Sequence, residues 1–363
     1  MEVESRSGAP SISVLLPVKN GGAYLAPAVS SILSQTFHDF ELLVIDDGST
    51  DGTLDTLATL GKSDARLRVL TSPGAGLVDA LNHGIAASGA PLIARMDADD
   101  IALPQRLQRQ YEFLKLNPEV DVIGAQVRFI DEQGAPTGKT TELPQCHEAV
   151  HKTLLKYCCL RHPTVVMRRA AVERVGGYRG YLPAAEDLDL WLRLAEHGKL
   201  ANLPDALLLY RLHAGQISQA KLWTQRLSRN LALISALERR AGREDPMASY
   251  SCFERVGGKH ECRGLDCPAG VCESLRAFRA AEALLSDVPG ELAWDDARLL
   301  ISYVSRHSIG DGKSNALRVL IALCREAARR RAPLLLAKAF GLALRIHPGR
   351  AMRLLAITKD NLS

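Results

Sequence analysis

The sequence predicts an α/β fold: an open, mostly parallel sheet flanked by helices, followed by a mostly α-helical C-terminal region. Three observations predict it. Short apolar runs alternate with helical-period segments from Ile12 to Met96. These runs are near-continuously apolar rather than alternating, as expected of strands covered on both faces. From about Ser286 onward the visible periodicity is helical.

The elements follow in order. Residues 12–18 read as a buried strand, with Gly21-Gly22 as the turn. Leu25, Ala28, Val29, Ile32 and Leu33 then share one helix face. Residues 40–45 form a second strand that runs into Asp46-Asp47-Gly48-Ser49, and a short helix starts near Asp51. Residues 66–70 are a third strand, and Val78, Leu81, Ile85 and Ser88 lie on one side of the next helix. Residues 91–96 are the fourth. A helix follows Pro104 as far as Leu116, and residues 120–131 alternate as a strand before the turn at 131–134. Residues 147–157 and 221–240 read as helices. In open sheets of this kind ligands bind at the carboxyl ends of the strands. Pro17–Asn20, Asp46–Ser49 and Asp97–Asp100 are all placed there.

Asp97-Ala98-Asp99-Asp100 sets three carboxylates within four residues at a strand end. Close like charges push protons back onto one another unless a cation relieves them. The spacing suits a hard divalent cation held by oxygen ligands; the other reading is an acidic turn that caps the next helix. A second stretch is Ala185-Glu-Asp-Leu-Asp-Leu-Trp-Leu-Arg-Leu. Leu188, Trp191, Leu192 and Ala195 form its core stripe. Glu186, Asp189, Arg193 and Glu196 fall opposite, with Asp189 and Arg193 as an i,i+4 ion pair. Asp187 is out of place, since it lies with Trp191 and Leu194 on the apolar side. The first turn of a helix favours an ionised carboxylate electrostatically.

Five segments carry a resemblance: Ser13-Val-Leu-Leu-Pro-Val-Lys-Asn-Gly, Ser31-Ile-Leu-Ser-Gln-Thr-Phe, Glu41-Leu-Leu-Val-Ile-Asp-Asp-Gly-Ser-Thr-Asp-Gly-Thr, Ala80-Leu-Asn-His-Gly-Ile and Ala94-Arg-Met-Asp-Ala-Asp-Asp. In this order the chain resembles the nucleotide-diphospho-sugar transferases of the GT-A fold, most closely glycosyltransferase family 2, over residues 11–218. The resemblance implies that Asp47 accepts the imide N–H of a uracil-type base, as an acceptor-only carboxylate can. It implies that Pro17, Val18 and Asn20 line the base and ribose pocket. Family members often carry an aromatic residue where Lys19 stands. Asp97 and Asp99 would hold Mg²⁺ or Mn²⁺ against the donor diphosphate, with Asp97 and Ala98 beside the nucleotide sugar. Arg95 and Asn82 are placed near the nucleotide or in a structural salt bridge and turn bond. Asp187 matches the family's general base. His162, Glu186, Arg193 and His213 are placed on the acceptor or diphosphate side. For His162 and His213 a packed structural histidine is the competing reading. Tyr210-Arg-Leu-His213 matches the family's Tyr-Arg-x-His.

The resemblance therefore implies a metal-dependent, inverting hexosyl- or N-acetylhexosaminyl-transferase of polysaccharide biosynthesis. Its donor would be a nucleotide sugar, most simply a UDP-sugar, and its acceptor a glycan or lipid-linked saccharide. Acceptor choice would lie in loops such as 135–146 and 178–185. A sugar-phosphate nucleotidyltransferase is the enzyme rival, but its Gly-rich basic phosphate loop is poorly matched by Pro17-Val-Lys-Asn-Gly-Gly. The Gly-x-Gly-x-x-Gly of a dinucleotide enzyme is absent after the first strand. A non-catalytic sugar-nucleotide-binding or scaffolding subunit is the third reading, and Asp97, Asp99 and Asp187 argue against it.

The expected organisation is a transferase domain over residues 1–218 and a helical region over 219–363 with a Cys-rich insert at 250–273. Cys252, Cys262, Cys267 and Cys272, with His260 nearby, suit either a structural metal (zinc first, then iron–sulfur) or free thiols. No C-x-x-C pair supports the metal. Leu317, Leu320, Ile321 and Cys324 oppose Arg318, Arg325 and Arg329, and the tail stays basic through Arg353. That pattern suits an anionic membrane surface or a helical bundle with a solvated basic face. The net charge of +4 gives no sign of bulk nucleic-acid binding. No signal-peptide pattern or membrane-length apolar run is visible, so a cytoplasmic protein is expected, peripheral on the inner membrane face if the tail binds lipid.

Overall fold

The computed structural model describes residues 8–245 except 73, 181, 183 and 214–221, together with 248, 254–256, 259–261 and 339. The chain divides into two compact units, Met1–Asp245 and Pro246–Ser363. The expected boundary at 218 falls inside the first.

The first unit is built on a nine-stranded mixed sheet. Its parallel half has the order β3-β2-β1-β4, from β1 (Ile12–Val18), β2 (Phe40–Asp46), β3 (Leu67–Thr71) and β4 (Leu92–Arg95). Every residue of β1 and β2 is buried, which is why these strands read as near-continuously apolar runs. Val14, Leu16, Leu42 and Val44 face one layer with Ala28, Val29 and Ile32 of α1 (Leu25–Leu33) and Leu57 of α2 (Thr53–Gly61). Leu15 and Ile45 face the other layer, against α3 (Leu77–Ala87). Gly84 permits that contact: a Cβ there would lie 3.0 Å from Ile45 Cδ1 and 3.1 Å from Leu15 Cδ2.

Beyond β4 the direction reverses. β8 (Val166–Arg168) pairs antiparallel with both β4 and β6 (Val120–Ile130). β6 runs parallel to β9 (Lys199–Arg211), β9 ends against the two-residue β5 (Ile101–Ala102), and β7 (Pro136–Thr140) folds back on β6. Gly124 of β6 and Asn202 of β9 are register partners, and a Cβ on Gly124 would lie 2.2 Å from Asn202 Oδ1. The Asn202 amide crosses that gap and donates to the carbonyls of Pro144 (2.8 Å) and Cys159 (3.0 Å). Nearby, Gln126 accepts from Leu143 N and the Thr141 hydroxyl and donates to Leu143 O.

Helices α4 (Arg106–Leu116), α5 (His147–Leu154), α6 (Arg169–Arg174) and α7 (Glu186–Leu194) cover this half, and α8 (Leu222–Arg240) packs on α7. Glu186, Asp189 and Arg193, opposite the core stripe of α7, are themselves buried, at 7%, 0% and 3% exposed. Arg193 pairs with Asp189 at 2.7 Å and donates to the carbonyls of Val175 and Gly177. Arg239 of α8 closes over this face through Glu196 and Asp245. A buried pair survives because its partners are complete; removing one partner would leave an uncompensated charge.

In the second unit the described strands are Glu254–Val256 and Lys259–Glu261, an antiparallel ladder in which His260 faces Arg255. Cys252, Cys262, Cys267 and Cys272 and the basic stripe from 317 to 353 lie outside the described residues. No helix among the described residues is long and apolar enough to cross a membrane.

Candidate active site

The carboxyl ends of β1, β2 and β4 carry three loops. After β1, Asn20 adopts a left-handed backbone at φ 54° and ties two loops together. Its amide oxygen accepts from Thr50 N at 2.8 Å, and its backbone N–H donates to Ser49 Oγ at 2.8 Å. Pro17 and Val18 are buried at the strand end and Lys19 is exposed. After β2, the Asp46 carboxylate accepts Ser49 N, closing the turn. Asp47 is buried, and both its carboxylate oxygens face Gly76 N at the start of α3, at 3.3 and 3.1 Å.

After β4 the acidic cluster forms. One carboxylate oxygen each of Asp97, Asp99 and Asp100 lies within 4.8 Å of the others. Asp100 is 1% exposed, and its Oδ2 has no hydrogen-bond partner among the described residues. Burial, then the charges of Asp97 and Asp99, push its carboxyl well above the usual range. Burial also raises Asp97, and the adjacent Arg95 pulls it back. Oxygen ligands this crowded, one of them orphaned, fit a hard divalent cation. The sequence reading placed only Asp97 and Asp99 in the metal set; the fold brings Asp100 to it as well. Arg95 is 4% exposed and forms an ion pair with Asp97. Beneath them, fully buried Arg106 donates to the Arg95 carbonyl at 2.6 Å, and burial lowers its guanidinium to about 9.

The end of β9 fastens this loop. Arg211 N donates to Asp100 Oδ1 at 2.8 Å, and its guanidinium reaches the carbonyls of Asp99, Asp131 and Glu132. The same guanidinium lies over the Tyr24 ring at 4.7 Å. His213 meets Asp99 at 2.9 Å and packs against Tyr24. Ala98 packs at the edge of the apolar core.

The first turn of α7 faces the same neighbourhood. Asp187 is half-buried; its Oδ1 accepts Leu188 N at 2.7 Å and its Oδ2 accepts from the Cys158 thiol at 3.5 Å. Burial raises its carboxyl, while these donors and Arg95 oppose the rise. The Asp187 charge in turn helps raise Asp97. The two acidic groups that the sequence separates by 90 positions therefore act on each other, with Arg95 acting on both.

His162 is buried, pairs with the Tyr178 hydroxyl at 2.8 Å and packs edge-on against Trp191. Burial, reinforced by Arg95, holds it neutral. Both ends of the Asn82 amide are taken by the backbone of Tyr178, at 2.9 and 3.0 Å, so it pins the segment after α6. Arg193 is engaged by Asp189 and by the carbonyls of Val175 and Gly177, not by Asp187. Tyr178, Cys158, Arg106 and Arg211 were not foreseen as parts of this neighbourhood; their contacts join segments distant in sequence.

Glu186 gives a pH test. Burial first, and the charge of Asp187 second, push it from 4.5 up to about 7. The folded protein then holds a proton that the unfolded chain releases, so Glu186 costs stability as pH rises from about 4.5 to 7 and above. Glu186→Gln is expected to stabilise the protein at pH 8 by up to about 3 kcal/mol. The difference should vanish below pH 4.5, as melting curves across pH would show.

Residues 13–176 match the family model Glycosyl transferase family 2. A protein of Haemophilus influenzae, described as an uncharacterized glycosyltransferase, is 33% identical over 218 residues, 58% of this chain and 68% of that one. The O-antigen biosynthesis glycosyltransferase WbnJ of Escherichia coli is 34% identical over 206 residues, 56% of this chain and 80% of that one. The fold is shared with S. aureus TarS 1–349 in complex with UDP-GlcNAc, at a TM-score of 0.50 and 18% identity over 95% of this chain and 88% of that one. Sheet, loops and relatives agree: the chain belongs to glycosyltransferase family 2, the GT-A-fold nucleotide-sugar transferases.

Proposed function

We infer that the protein transfers a sugar from a UDP-sugar to a hydroxyl of a glycan or lipid-linked saccharide, with inversion and with a divalent cation. The observation that carries this reading is the crowded cluster of Asp97, Asp99 and Asp100 beside buried Arg95, with the Asp187 charge acting on Asp97 and the Arg95 charge on Asp187. The name of the WbnJ relative supports an O-antigen or polysaccharide product. The UDP-GlcNAc bound to TarS 1–349 supports a UDP-sugar donor.

Asp47 accepts the imide N–H of the base, and Pro17, Val18 and Asn20 form the wall beside base and ribose. Asp97 and Asp99, with Asp100 behind them, would hold Mn²⁺ or Mg²⁺, which stabilises negative charge on the leaving diphosphate. His213 keeps Asp99 oriented. Asp187 takes the proton from the acceptor hydroxyl, whose oxygen attacks the anomeric carbon from the face opposite the diphosphate. Burial strengthens it as a base, and the Leu188 N–H and Cys158 thiol fix its plane. Glu186 and His162 flank it on the acceptor side. The reaction is assigned to the inner face of the cell membrane, where lipid-linked acceptors are met.

A thermal-shift screen of nucleotide sugars with and without Mn²⁺ tests the reading. At saturation one UDP-sugar is expected to raise Tm by roughly 5 °C or more, and only with the ion. A set of nucleotide sugars that leaves Tm unmoved, or a shift indifferent to metal, would overturn it.

A further inference from the structure

The geometry points to Arg95 as a resident counter-cation: it occupies the Asp97 carboxylate while no divalent ion is bound and gives that carboxylate up when one arrives. This rests on the reading of Asp97 and Asp99 as metal ligands.

Arg95 ends β4, two residues before Asp97, and its side chain is 5% exposed. Its Nη2 is paired with Asp97 Oδ1. Its Nε and Nη1 have no hydrogen-bond partner among the described residues. A buried guanidinium with two unpaired donors is costly, so its link to Asp97 is the main compensation it has. The benefit is mutual, because a carboxylate oxygen of Asp97 lies within 4.8 Å of those of Asp99 and Asp100. The backbone gives the arginine little freedom to drift. Its N–H donates to Val165 O at 3.0 Å, and its carbonyl accepts from Arg106 at 2.6 Å.

A divalent ion must therefore displace a positive charge to use Asp97 Oδ1. That competition weakens binding of the bare ion. Once released, the guanidinium has all its Nη donors free in a buried site, where a diphosphate is the anion that suits it. The ion is then bound poorly alone and well together with the donor.

Mn²⁺ binding to the full chain, followed by electron paramagnetic resonance of the free ion, tests this. Arg95→Met is expected to bind Mn²⁺ alone at least about tenfold more tightly than wild type, with the gap narrowing when UDP is present. The metal-free variant is expected to melt lower than wild type and to recover in saturating Mn²⁺. Arg95→Lys keeps the charge and is expected to bind Mn²⁺ alone like wild type. Equal or weaker Mn²⁺ binding by Arg95→Met, while wild type binds the ion, would sink the inference and leave the metal reading standing. No Mn²⁺ bound by wild type with or without UDP would sink both. Should Arg95→Met fail to fold, the wild-type guanidinium itself reports: its ¹⁵N side-chain resonances, assigned by loss in Arg95→Lys, must shift on saturation with Mg²⁺, and unmoved resonances overturn the exchange.

Discussion

Asp187→Asn is expected to lower sugar transfer by about 10²–10⁴-fold while leaving donor affinity within about twofold. The amide keeps the size of the carboxylate and its acceptor oxygen for Leu188 N, so α7 keeps its first turn. Only the proton-accepting oxygen is lost. The measurement is steady-state transfer to a saccharide acceptor, set beside the thermal shift produced by donor plus Mn²⁺. Near wild-type transfer would mean that another group takes the proton. A lost thermal shift would mean that Asp187 holds the donor rather than the acceptor.

Asp99→Asn is expected to lose donor binding as well as transfer. Transfer is expected to fall by about 10²–10³-fold, because a weakened ion leaves the charge on the departing diphosphate uncompensated. The Mn²⁺-dependent part of the donor thermal shift should disappear as well. Asp99 is the cleaner choice over Asp97. Its side chain is 31% exposed and its partner is His213, whereas removing the Asp97 charge strands buried Arg95. The two variants together separate the ion's work from the base's work. If Asp99→Asn kept full Mn²⁺ dependence, the ion would have to sit elsewhere.

The parallel half of the sheet was legible because strands covered on both faces are mostly apolar, as residues 12–18 are but for Ser13 and residues 40–46 but for Glu41 and Asp46. The second half was harder to read. β8 is three residues long, and β9 is interrupted by Asn202, Pro204 and Asp205 and bounded by Lys199 and Arg211, so neither stands out by pattern. The burial of Glu186, Asp189 and Arg193 was not legible, because amphipathic periodicity separates two faces of a helix but does not show that a later segment such as α8 packs on it. Asp187 stood out because a carboxylate on the apolar side of a helix is anomalous. The partners of Asp100 and Asn82 did not stand out. Arg211 lies 111 positions from Asp100 and Tyr178 lies 96 from Asn82, separations no local rule reaches.

The amides of Gln126 and Asn202 set a limit on how this enzyme can be re-engineered. Together they staple residues 141–145 to the sheet and draw the backbone at Cys159 to the same point. The strand ahead of that staple, Pro136–Thr140, is exposed at every residue. Chimeras that test the proposed acceptor role of residues 135–146 should therefore splice within that strand and stop before Thr141. A graft that crosses the staple would shift the backbone beside Cys158, and through it Asp187, so that catalysis and preference would change together and could not be told apart.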